Sequence, residues 1–308
     1  MKFLLILSLA ALGQAQIRVG IIGTDTSHVP AFTQMLNDAA APNHIAGARV
    51  VAAFKGGSKD LKESYSRVDN YAQEISSKYG VEIVPDIATL LLKVDAVLVE
   101  SVDGRTHLEQ ARPVIAAGKP LFIDKPLAAT YEAAQEIVRL ARAAHVPWFS
   151  ASSLRWSEIT ATMKFDDARS VVAWGPGPIE VHHDLTWYAI HPIEILYALL
   201  GPGCEEVTRI ETADGDLITG KWKGGRTGAV QTIKPYGPYG AVVFRAGGKV
   251  VQSPAKSRTG YEELVKQIVK FFETKQPPVT NEETLEVFAF MDAAQRSLRS
   301  GGVPVKLQ

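Results

Sequence analysis

Four short passages hold most of the side chains that could do chemistry. The first is Gly23-Thr24-Asp25-Thr26-Ser27-His28, directly after an apolar run at 17–22. A glycine closing a strand ahead of a helix lets backbone N–H groups cradle a phosphate. Of the Gly-x-Gly-x-x-Gly spacing only the first glycine is present, and Asp25 sets a carboxylate where a pyrophosphate would approach. Two like unit charges about 5 Å apart cost about 3 kcal/mol at an effective dielectric of 20, more than a hundredfold in affinity. A protonated His28 offsets part of that, and Asp, Thr and Ser here can also cap the helix without any phosphate. The second passage is Asp124-Lys125-Pro126, where Lys125 either anchors a strand end or presents an ammonium to a substrate hydroxyl. The third is His182-His183-Asp184, followed by Trp187, Tyr188, His191 and Glu194. His191 either caps the helix begun by Pro192 or exchanges a proton near neutral pH. Trp187 either stacks on the apolar face of a sugar or fills a core. The His and acid spacing fits no dedicated metal motif, so no metal is expected. The fourth passage is Phe54-Lys55-Gly-Gly-Ser58, at the end of a second strand. The single cysteine, Cys204, sits in a Gly/Pro turn without basic neighbours and reads as an inert, partly buried thiol.

These passages need a scaffold that brings strand ends together. Apolar runs at 17–22, 48–54, 95–100, 121–124 and 147–150 alternate with helical patterns. In the first of these, Val29, Phe32, Leu36 and Ala39 share one face; others run from Thr106 to Ala117 and from Tyr131 to Ala144. Such alternation predicts a parallel sheet covered by helices, with ligands at the carboxyl ends of its strands. After about residue 150 the rhythm changes. Strands are expected at 170–173, 179–183, 228–233, 241–246 and 249–252, joined by Gly/Pro turns, with helices at 192–200, 260–274 and 281–299. The fold class is therefore α/β: a Rossmann-type parallel-sheet domain over 16–150, and an α+β domain with an open, mainly antiparallel sheet over 151–308.

The ordered set of motifs resembles the Gfo/Idh/MocA oxidoreductase family. Val19-Gly-Ile-Ile-Gly23 opens as dinucleotide-binding enzymes do. Gly118-Lys-Pro-Leu-Phe-Ile-Asp124-Lys125-Pro126-Leu-Ala128 is similar to the family's "AGKHVxxEKPLA" passage, with Asp124 for Glu. Trp187-Tyr-Ala-Ile-His191-Pro-Ile-Glu194 is similar to its "DxGxHxxD" segment, and Val146-Pro-Trp148…Arg155-Trp156 to its crossover. The resemblance spans nearly all of 17–308. It implies hydride transfer between a sugar, polyol or related carbohydrate and NAD or NADP, with Lys125 and His191 facing the transferred hydride as catalytic residues. It implies cofactor contacts from Gly20, Gly23, Thr24, Asp25, Thr26, Ser27, His28, Lys55, Ser101, Asp124 and Lys125. Substrate contacts fall to Arg155, His183, Asp184, Trp187, Tyr188 and His191. Lys55 stands near the acid that usually holds the ribose 2′-hydroxyl; a lysine there suits a 2′-phosphate, so NADP is favoured over NAD. Trp187 replaces the aspartate that accompanies the family histidine. These departures leave two further readings: an exported carbohydrate-binding protein that has lost its cofactor, and a glycoside-cleaving enzyme with a resident nicotinamide.

Composition limits the partners. There are 33 Lys+Arg against 33 Asp+Glu, so the basic field that nucleic acid or an anionic membrane would attract is missing. Residues 1–15 have Lys2, an apolar core from Phe3 to Leu12 and small residues at Gly13 and Ala15. They read as a signal peptide cut near Ala15, giving an exported, periplasmic or secreted protein with no membrane span after cleavage. Family members often associate through the open sheet, so a homo-oligomer is expected, with 228–233 and 241–252 on the shared face.

Overall fold

The computed structural model describes residues 16–180 and 182–308; the expected leader at 1–15 lies outside the described residues. The first domain is a six-stranded sheet of order β3-β2-β1-β4-β5-β6, parallel throughout. Its strands are β1 (Ile17–Ile22), β2 (Ala48–Phe54), β3 (Glu82–Val84), β4 (Ala96–Val99), β5 (Leu121–Ile123) and β6 (Trp148–Phe149). β1, β4 and β5 are almost wholly apolar because helices cover both faces, leaving no solvent side on which to place polar residues. The covering helices are α1 (His28–Asn37), α2 (Lys62–Tyr65), α3 (Val68–Tyr79), α4 (Ile87–Leu91), α5 (His107–Ala116) and α6 (Tyr131–Ala143). The strand order reverses between β1 and β4, and a ligand crevice opens at such a switch point.

The second domain holds α7 (Glu158–Met163), β7 (Ala168–Pro176), α8 (Ile190–Leu200), β8 (Cys204–Thr212), β9 (Gly215–Trp222), β10 (Arg226–Ile233), β11 (Gly240–Arg245) and β12 (Val250–Gln252). After these come α9 (Glu262–Thr274), α10 (Asn281–Arg299) and β13 (Val305–Lys306). The sheet order is β12-β11-β7-β10-β9-β8-β13, antiparallel except for the parallel pair β7 and β10. α8 covers one face of it with an apolar stripe including Ile193, Leu196 and Tyr197. The chain then returns to the first domain. Leu264, Val265, Ile268 and Phe272 of α9 share a core with Val19, Phe32 and Phe122, and Phe271 stands edge-on to Phe149 at 5.1 Å. α9 thus packs back on the first domain.

One expected strand is absent. β7 ends at Pro176, and the backbones of Glu180 and His183 exchange hydrogen bonds with each other, so the described residues of this stretch make an isolated bridge and not a strand of the sheet. Conversely, β8 and β9 were not legible, because Glu205, Glu206, Arg209 and Asp216 break their apolar alternation.

Candidate active site

The carboxyl ends of β1, β4 and β5 and the loop after β6 face the second domain across a cleft of about 510 Å³. Thr26, Ser27 and His28 line it from the first loop, with Val102, Lys125, Ser153 and Leu154 beside them. Trp187, Tyr188, His191, Tyr236 and Tyr239 line the opposite side, and Tyr261 stands beside His28. Lys125 and His191, distant in sequence, therefore share one cavity.

His191 lies in the first turn of α8, whose N-cap is Ala189, so its ring is not a cap. Its Nδ1 is 2.7 Å from Ser152 Oγ. Burial, then the nearby Lys125 and His28, push its pKa well below the usual histidine range, so the ring is neutral and able to accept a proton. Lys125 follows Asp124, whose Oδ1 accepts the Lys125 backbone N–H at 2.8 Å. His28 stacks on Phe32 at 5.3 Å and meets Tyr261 edge-on at 4.6 Å. Its Nδ1 is 2.6 Å from Asp124 Oδ2 and 4.0 Å from Glu100 Oε2. Burial alone would raise the Asp124 pKa, but His28 and Lys125 hold it below the usual carboxylate value. Glu100 is fully buried, and desolvation followed by the Asp124 charge drives its pKa well up.

The loop after β1 tests the fit of a dinucleotide. Gly23 is required there: its φ is +90°, and a Cβ would come within 2.2 Å of Ser101 Oγ. Asp25 does not cap α1. Its fully buried carboxylate accepts the Val102 backbone N–H at 2.9 Å and the Ser64 hydroxyl at 2.5 Å, while Thr26 Oγ1 takes the His28 N–H at 2.9 Å. Thr24 is sealed likewise, donating to the Val68 carbonyl at 2.8 Å. The segment 56–66 thus lies over the loop, with Gly56 against Gly23 and Ser101. It is fastened by Ser58 to Asp103 at 2.5 Å, and by Asp60 to Arg105 at 2.8 Å and to His182 at 3.0 Å. In this closed arrangement the cleft has room for a nicotinamide end, while Gly23–Asp25 is not open to a pyrophosphate.

Several expected contacts are placed elsewhere. Gly20 is a packing glycine: a Cβ would meet Leu90 of α4 at 2.6 Å. Lys55 turns outward to Asp69 at 2.8 Å, which removes the geometric ground for preferring a 2′-phosphate. Ser101 is buried and its hydroxyl accepts from Gln110 at 2.9 Å. Arg155 lies in another cavity, held between Glu194 and Glu283 at 2.5 Å each. Asp184 faces away, in an ion pair with Arg209 at 2.7 Å. His183 is buried behind Trp187, stacked on it at 5.4 Å, with Nε2 3.2 Å from Asp103. Sequence reasoning missed Glu100, Ser58, Ser64, Asp103, Tyr239 and Tyr261. A glutamate ending the apolar run Ala96–Val99 was the one visible signal among them.

The fold and cleft define a two-domain architecture in which a Rossmann-type sheet faces an open, mainly antiparallel one. Residues 17–152 match the family described as "Oxidoreductase family, NAD-binding Rossmann fold", Gfo/Idh/MocA. Over that stretch the chain is similar to the Gfo/Idh/MocA oxidoreductases, as its motifs implied. Inositol 2-dehydrogenase of Paracoccus denitrificans (strain Pd 1222) is 37% identical over 133 residues, covering 42% of this chain. That stretch spans only 34% of the relative's own length. Among solved structures, myo-inositol dehydrogenase from Lactobacillus casei, in complex with NAD(H) and myo-inositol, is similar at a TM-score of 0.72 and 20% identity, covering 95% of this chain and 97% of that one. Apo scyllo-inositol dehydrogenase from the same organism is similar at 0.73 and 13% identity, covering 95% and 98%. At such identities the solved structures establish the shared two-domain fold.

Proposed function

We propose that this protein is a nicotinamide-dependent oxidoreductase acting on a sugar, polyol or related carbohydrate. The observation that carries the reading is the convergence of Lys125 and a neutral, Ser152-held His191 in one cleft of an NAD-binding family domain. The nicotinamide would supply the hydride acceptor or donor. The chain's own part is to position a hydroxyl and move its proton: Lys125 orients the oxygen and favours its anion, and His191 accepts the proton. Trp187 and Tyr188 offer apolar ring surface to a sugar. The inositol dehydrogenases named above make cyclic polyols the first substrates to try. A dinucleotide that places its pyrophosphate on Gly23–Asp25 must displace segment 56–66.

Calorimetric titration of the purified protein with NAD and NADP, followed by a polyol panel scored for reduced cofactor, tests this. Saturable binding and turnover support it; absence of binding for both dinucleotides removes it. The sealed Asp25 favours a second reading, a non-redox carbohydrate-binding protein, for which polyols would bind with neither cofactor present. We further propose export by the leader at 1–15; N-terminal sequencing should find a mature chain beginning near Gln16, and an intact Met1 in an intracellular fraction would refute it.

A further inference from the structure

We propose that His28, Glu100 and Asp124 form a site for one divalent transition-metal ion, Zn²⁺ or a close relative, opening on the cleft. The inference is independent of the redox reading. Each residue offers one ligand atom, and the three atoms lie within 4.8 Å of one another. They come from separate elements: His28 begins α1, Glu100 follows β4 and Asp124 follows β5, so the parallel sheet itself brings them together.

The second observation is the state of the polar atoms. Glu100 is 0% exposed, and neither of its carboxylate oxygens has a hydrogen-bond partner. A buried acid without a partner is costly, and buried carboxylates are normally paired or coordinate metals. His28 Nδ1 is also buried and without a hydrogen bond. It stands 2.6 Å from Asp124 Oδ2, yet the contact is not aligned as a hydrogen bond. Close but misaligned ligand atoms are what convergence on a common point produces. Two donors each about 2.1 Å from a tetrahedral ion lie about 3.4 Å apart. The observed separations from Nδ1, 2.6 and 4.0 Å, bracket that value, so small side-chain rotations suffice.

One imidazole and two carboxylates suit a borderline ion such as Zn²⁺ better than Mg²⁺ or Ca²⁺, which favour oxygen alone. Three protein ligands with a fourth position open is the arrangement of catalytic rather than structural zinc. Here the open side is toward the cleft, because His28 lines it while Glu100 and Asp124 are buried behind His28. A substrate oxygen could occupy that position. Lys125 is the rival counter-charge, since it acts on both carboxyls, but it makes no hydrogen bond to Glu100.

The test uses the full chain freed of metal by chelation and titrated with ZnCl₂ or MnCl₂ alone. Wild type should bind one equivalent. Glu100→Gln, which keeps the packing, should weaken binding at least tenfold, and His28→Gln should do the same. Crystals soaked in Zn²⁺ should show anomalous density among the three side chains, a readout that stands even if a variant fails to fold. No saturable binding, unaltered affinity in both variants, or density elsewhere would each overturn the proposal. NAD and NADP are absent throughout, so failure here leaves the oxidoreductase reading untouched.

Discussion

Burial governs what His191 can do. Its depressed pKa keeps it neutral, whereas the unfolded chain protonates this histidine near its ordinary value of about 6.5. Below that pH the unfolded state binds more protons than the folded state, so stability falls as pH drops through the unfolded pKa towards the folded one. His107, buried between the carbonyls of Ser101 and Pro126, is also lowered and adds to the same slope. The melting temperature should therefore decline between about pH 7 and pH 5, and His191→Gln should flatten part of the decline. An unchanged slope in that variant would mean that His191 titrates normally. Lys125 is different in kind. Lys125→Met should lower turnover by about a hundredfold or more while leaving the melting temperature within a few degrees. Equal losses in activity and stability would assign it to the scaffold instead.

Segment 56–66 decides how the first domain meets a ligand. It is seated by hydroxyls, Ser64 on Asp25 and Ser58 on Asp103, together with the fully buried Leu61 and the Asp60–Arg105 ion pair. Burial raises the Asp25 pKa, with Ser64 and Val102 opposing it. Ser64→Ala removes one donor from that buried carboxyl and should cost about 1–3 kcal/mol. Amide exchange over 56–66 should quicken, and dinucleotide affinity should rise as the loop at Gly23 opens. If exchange quickens while affinity stays level, the segment is not the barrier. None of this was visible in the sequence, because Asp25 and Ser64 are 39 residues apart and no local pattern pairs them. The parallel sheet, by contrast, was legible from its apolar runs. That Lys125 and His191 line one cleft was legible because short motifs mark both. Arg155 and Asp184 misled for the same reason: a motif gives the residue but not its rotamer, and buried ionic partners claimed both side chains.

At the scale of the whole molecule, the second sheet has one face covered by α8 and the other left uncovered by the described residues. The uncovered face carries a continuous row: Thr219 pairs Ala229, Ala229 pairs Val172, and Val172 pairs Val242. Ile210 and Leu217, paired on the neighbouring row, are 54% and 39% exposed, and Phe244 is 41% exposed. Small and apolar side chains over several adjacent strands form a flat surface that a second copy of the same face can cover, since a twofold contact needs only a self-complementary patch. We therefore expect light scattering to give a mass well above the 33.4 kDa of one chain. Ala229→Lys sets a charge in the middle of the row without touching the buried side, where Val230 packs. It should return the protein to the monomer mass with little change in melting temperature at low protein concentration. A wild-type monomer would remove the expectation outright, and an oligomer unaffected by Ala229→Lys would move the interface off this sheet.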